Sequence, residues 1–155
     1  MALLPRSNND EYRGVVASAW FLALSGVLTI IPGLIHYGLP DGGSGVIAHI
    51  DLSTGADTII AIFAWYGAMQ IPFGVLILTI ALRYRPLVPL TLALLMVMQG
   101  LSAFTGWVWK GAGGRHPPEH YASLLFLGLG ALFLVLSLRE GKASVTAPTG
   151  QPAIP

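Results

Sequence analysis

Gly14 to His36, GVVASAWFLALSGVLTIIPGLIH, decides the fold. No formally charged side chain occurs in it, with histidine taken as neutral. At about 1.5 Å per helical residue, a run of this length crosses a hydrocarbon core of about 30 Å. A secretory signal is the competing reading, because Arg6 and Arg13 precede the apolar run. The apolar region of a signal holds only about 7–15 residues. The cleavage-like Val46-Ile47-Ala48 also lies too far downstream. The stretch reads as an uncleaved membrane helix.

The rest of the chain agrees. Of its 155 residues, 54% are hydrophobic and only 10% charged. A soluble domain is about one quarter charged, so this chain cannot coat a globule with a soluble surface, and lipid is its expected solvent. A net charge of +1 gives no case for nucleic-acid binding. Cysteine is absent, which excludes disulfides, thiolate metal sites, iron–sulfur clusters and a cysteine nucleophile.

Further apolar runs predict helices over about 57–82, 87–109 and 118–138, beside the first at about 14–36. Residues 1–13 read as a polar tail entering helix one, and 139–155 as a disordered tail. The Gly-rich stretch 40–57 reads as a loop whose Val46–Ile50 segment is apolar enough to lie in the interface. Thr54 and Asp57 form a capping pattern for helix two. Pro72 is expected to kink that helix. Pro117-Pro118 suit the first turn of helix four, and Glu119 there meets the positive end of the helix dipole. The expected fold is all-α: an integral membrane antiparallel four-helix bundle.

Basic residues give the orientation. Arg6, Arg13, Arg83, Arg85, Arg139 and Lys142 lie on the side of the termini, and Lys110 and Arg115 on the other. This asymmetry predicts both termini in the cytoplasm.

That topology gathers His36, His49, His116, His120 and Glu119 at the outer ends of the helices, among Trp65, Tyr66, Trp107 and Trp109. Three site readings follow. His116 and His120, with His36 or His49 and a carboxylate, suit a divalent transition metal. His36 and His120 suit haem ligation, with Trp107 as a wall. Glu119 and His120 suit an acid–base pair acting on a lipid headgroup or isoprenoid. Against all three stands a plain reading, interfacial histidines amid aromatic anchors. The H-P-P-E-H spacing is not that of zinc proteases, and Pro117-Pro118 is expected to hold His116 outside the helix. No phosphate loop or nucleophile elbow is present.

Gln70 and Gln99 lie at matching depths midway through helices two and three. They read as a cross-helix amide pair or as contacts to a ligand such as a quinone. No Asp, Glu, Lys or Arg lies within the spans, which weighs against a proton pump or ion-coupled transporter. Small residues (Ala19 and Ala23; Ala61, Ala64 and Ala68; Gly128, Gly130 and Ala131) mark faces for close packing, within the bundle or against another subunit.

The run Ala64-Trp65-Tyr66-Gly67-Ala68-Met69-Gln70, followed by Arg83-Tyr84-Arg85-Pro86-Leu87, resembles bacterial four-helix inner-membrane families, including DoxX-like proteins. The resemblance spans roughly residues 14–138 and rests on composition and spacing. It implies a fold and an inner-membrane location, and brings no catalytic residues. The leading expectation is an accessory or structural subunit of a membrane assembly, partnered by the bilayer and by another membrane protein or further copies of itself. The alternative is a membrane enzyme or cofactor binder using the outer His/Glu cluster on a metal, haem, quinone or lipid.

Overall fold

The computed structural model describes residues 3–110 and 116–141. Four helices form: α1 (Val16–Gly38), α2 (Ala56–Arg83), α3 (Val88–Phe104) and α4 (Pro118–Leu138). A short 3-10 turn, Arg85–Leu87, leads into α3, which continues as one π-helical turn, Thr105–Trp109. With those turns added to α3, each helix is long and apolar enough to cross a membrane. The observed bounds match the expected ones to within the fraying of helix ends. The chain is an all-α, multi-pass membrane bundle.

The bundle is two hairpins, α1 with α2 and α3 with α4. The first is held by close backbone approach. A Cβ built on Gly67 would lie 2.6 Å from the carbonyl oxygen of Gly33, and one on Gly74 would lie 2.8 Å from that of Gly26. Gly26 and Gly33 therefore face Gly74 and Gly67 in antiparallel order. The seven-residue spacing repeats on both helices and keeps the glycines on one seam. The alanines singled out from sequence do other work. Ala19 and Ala23 are buried in the core, whereas Ala61 and Ala68 are exposed on α2. Both helices run on through their prolines, Pro32 in α1 and Pro72 in α2.

The hairpins meet at the end of the bundle that holds the 84–87 turn. Leu22, Ile77, Val88 and Leu92 are fully buried there, in one cluster with Ala19, Phe21 and Ala81. Phe21 stacks on Phe133 at 4.2 Å, tying α1 to α4. The backbone N–H of Val15 donates to the Leu136 carbonyl, and that of Gly141 donates to Arg13.

The amino-terminal segment, read from sequence as a polar tail, caps the end of α2. Asn9 donates from its amide to the Leu82 carbonyl (2.6 Å) and accepts from the Arg85 N–H (3.1 Å). Ser7 and the Asn8 N–H both donate to the Arg83 carbonyl. These bonds satisfy carbonyls that the end of α2 would otherwise leave orphaned. At the far end of the tail, Glu140 bridges to Gly14, and the expected disorder beyond Gly141 lies outside the described residues.

One helix start differs from its sequence signature. Gly55, in the left-handed region at φ 73°, occupies the N-cap of α2, with no side-chain cap bond, so Thr54 does not cap it. The 39–49 segment is instead ordered by Asp41. Its carboxylate accepts from the backbone N–H groups of Val46 (2.8 Å), Gly43 (2.9 Å) and Gly45 (3.1 Å). Gly42 and Gly43, both at positive φ, allow the turn that aims those amides inward.

Candidate functional site: a cleft between the hairpins

Away from the shared core the hairpins part and leave a cleft of about 320 Å³ walled by all four helices. Its walls are mostly apolar, with Leu28, Met69, Phe73, Met98 and Phe126 among them. His36, Gln70, Gln99, Glu119, Thr29 and Ser123 supply its polar groups. A site of this size is at the lower end of the usual small-molecule range of about 300–1,000 Å³.

His36 is buried, at 8% exposed. It belongs to α1, one turn beyond Pro32, and packs edge-on against Phe63 of α2 at 5.0 Å. Its Nδ1 lies 2.7 Å from the Gly42 carbonyl oxygen. A carbonyl cannot donate, so Nδ1 carries a proton, and in the neutral ring that leaves Nε2 as the lone pair. The chain of causes begins at Asp41. Its carboxylate folds the loop, the loop places the Gly42 carbonyl, and that carbonyl sets the tautomer of His36. The three amides, led by that of Val46, hold the Asp41 carboxyl below the ordinary carboxylate range.

Gln70 and Gln99 line the cleft from α2 and α3, but among the described residues no hydrogen bond joins them. The Gln70 carbonyl oxygen is buried without a partner. The expected amide glue is therefore not made: the two helices touch mainly near the 84–87 turn and diverge before reaching these residues.

His116 and His120 form a second centre beside the cleft. Pro117, with extended backbone, stands at the N-cap of α4, so His116 is outside the helix as expected. The two imidazoles still meet, Nδ1 to Nδ1 at 3.2 Å. One ring donates there and the other accepts. Trp107 stacks on His116 at 4.0 Å, and its indole N–H donates to the His120 carbonyl (3.1 Å). The π-helical turn presents that indole, with the Lys110 N–H reaching back to the Thr105 carbonyl. Gly106 makes the room: a Cβ there would sit 2.7 Å from the His120 ring. His120 lines a shallow depression of about 390 Å³, which shares Ser102 and Glu119 with the cleft.

The four histidines thus do not converge. Among the described residues no group of three or more His, Cys, Asp or Glu could hold a metal, which corrects the metal-site expectation. His49 sits on the loop at φ 53° and is exposed. Of the pair expected for haem, His36 lines the cleft and His120 the neighbouring depression. What sequence reasoning missed was the glycine seam and Gly106. The equal spacing of Gly26/Gly33 and Gly67/Gly74 was the available signal for the seam.

Fold and site together define a four-helix membrane protein with a polar-lined cleft inside its apolar span. No family model matches the sequence, and neither the curated proteins nor the solved structures offer a similar chain.

Proposed function

We propose that the protein binds a lipid-soluble amphiphile in the cleft between its hairpins. The observation that carries this reading is His36: a nearly buried imidazole of fixed tautomer, lining an apolar cleft that also bears Gln70, Gln99 and Glu119. Polar groups at such depth are costly unless something satisfies them. A ligand that partitions into the bilayer reaches the cleft laterally, with its apolar body on Phe73, Met69 and Phe126 and its head among the polar groups. The His116–His120–Trp107 cluster and Glu119 form the rim beside it. The six-to-two bias of basic residues supports a bacterial inner-membrane setting with cytoplasmic termini, which would open the cleft toward the outer leaflet.

Native mass spectrometry in mild detergent, followed by extraction of bound lipids, tests the reading. The wild-type protein should retain one amphiphile per chain, and Ala122→Phe, which fills the cleft wall, should lose it while keeping its helicity. A bare wild-type protein, or equal retention by both, overturns the proposal.

An accessory role in a larger assembly is a second reading. It is favoured by Gly128, where a Cβ would meet nothing within 4 Å, and by the exposed Ala61 and Ala68. Glycine on an outward helical face suits close approach by another helix. Gly128→Leu should then dissociate a complex seen for the wild type, and a wild-type protein that runs as a monodisperse monomer would end this reading.

A further inference from the structure

We infer that the amphiphile taken up by the cleft carries a hydroxyl headgroup, the hydroxyl acting as hydrogen-bond donor. The inference rests on the cleft being the binding site proposed above.

The argument is an inventory of donors and acceptors. Three lining groups each donate their only hydrogen to the backbone. His36 Nδ1–H donates to the Gly42 carbonyl at 2.7 Å, Thr29 Oγ1–H to Ser25 at 2.8 Å, and Ser123 Oγ–H to His120 at 2.7 Å. Each therefore turns only a lone pair toward a newcomer. The Gln99 side-chain carbonyl oxygen adds a fourth acceptor. The Glu119 carboxylate, when ionised, is a fifth, at the rim. The amides of Gln70 and Gln99, with two hydrogens each, and the hydroxyls of Ser102 and Tyr66, two exposed residues at the cleft edge, can donate, but none of the enclosed groups His36, Thr29 and Ser123 has a hydrogen left to give.

An ether, an ester or an alkane brings no hydrogen to these acceptors and leaves them desolvated, which costs free energy. A ketone or quinone brings only acceptors and competes for the two amides. A hydroxyl supplies the missing donor to His36 Nε2, Thr29 or Ser123, and its own oxygen accepts from a glutamine amide. An alcohol or a phenol on an apolar body meets both requirements. This commits the site to the reduced, hydroxylated form of any headgroup that exists in two oxidation states.

The test uses the full chain in nanodiscs, titrated with dodecanol and with dodecyl methyl ether. The two probes share an apolar body and differ in the donor hydrogen. Saturable binding of dodecanol, about tenfold tighter than the ether, is the expected result, since a buried hydrogen bond has about that worth. Thr29→Val, which preserves shape on α1, should narrow the gap, and His36→Phe should do so more strongly. Saturable and equal binding of both probes to the wild type overturns the donor inference and leaves the cleft reading standing. Saturable binding of neither overturns both.

Discussion

Alanine at Gly67 and Gly74 should drive α1 and α2 apart, and the size of the effect can be worked from the seam. The Gly67 Cβ would meet the Gly33 carbonyl oxygen at 2.6 Å and the Tyr37 nitrogen at 2.8 Å. The Gly74 Cβ would meet Ile30 Cγ1 at 2.6 Å and the Gly26 carbonyl at 2.8 Å. Most of these neighbours are backbone atoms and cannot rotate away, so the helices must separate. Overpacking of this kind costs about 2–3 kcal/mol per site. Alanine regains about 1 kcal/mol in helix propensity over glycine, leaving a net loss of about 1–2 kcal/mol each. The two sites are about 10 Å apart along α2, far enough for their effects to add, so the double variant should lose about 2–4 kcal/mol. At about 2–4 °C per kcal/mol for a chain of this size, the melting temperature should fall by about 4–16 °C. Thermal unfolding in mild detergent, followed by circular dichroism, reads this directly. Gly100→Ala in α3 is the control, with only Leu127 Cδ1 at 4.0 Å from its Cβ position, and should be neutral or stabilising. A double variant as stable as the wild type, or a control that costs as much, would refute the seam as the device that holds the hairpin.

Three further outcomes are expected. Gly106→Ala pushes a methyl into the His120 ring, so the contact between the His116 and His120 Nδ1 atoms should break. Histidine nitrogen NMR reads this as the loss of a coupled pair, and unchanged imidazole signals would contradict the geometry. Asn9→Ala removes both the bond to the Leu82 carbonyl and the one from the Arg85 N–H, and should cost about 1–2 kcal/mol in thermal unfolding, with Asp10→Ala as a nearby comparison. The Asp41 carboxyl is held below its ordinary value of 3.8 by the Val46, Gly43 and Gly45 amides. A lowered folded value means that its contribution is complete above the unfolded value and is lost as pH falls through the folded one. Hydrogen exchange at those three amides should therefore stay slow to below the usual carboxylate range and quicken only in stronger acid. In Asp41→Asn that acid-induced loss should vanish.

The cleft links these local features to function. Its depth comes from hairpins that share a core at one end only, with Phe21, Leu22, Ile77 and Leu92 as the join. Its chemistry comes from a loop outside the membrane. Asp41 folds that loop, Gly42 sets the His36 tautomer, and the glycine seam holds His36 in place, since the Gly67 Cβ position lies 2.9 Å from the His36 Cβ. A change at Gly67 should therefore reach the cleft as well as the fold.

The four spans and their order could be read from composition and periodicity alone. Burial in lipid demands long uninterrupted apolar runs, and such runs are visible one residue at a time. The position of His116 outside α4 was equally legible, because proline restricts the residue before it. The partners of each polar side chain were not. Gln70 and Gln99 have matching depths, but depth along a helix says nothing of its rotation or of the gap beside it. The four histidines share one end of the bundle, but only the packing decides that His116 meets His120 while His36 turns to the Gly42 carbonyl. Capping by Thr54 failed because Gly55 takes the left-handed conformation at the helix start. Sequence by itself determined that this chain is a four-helix membrane protein, since that depends on local hydrophobicity. The tertiary structure alone decided that its polar groups line a cleft, since that depends on where two hairpins separate, a property of contacts between residues far apart in the chain.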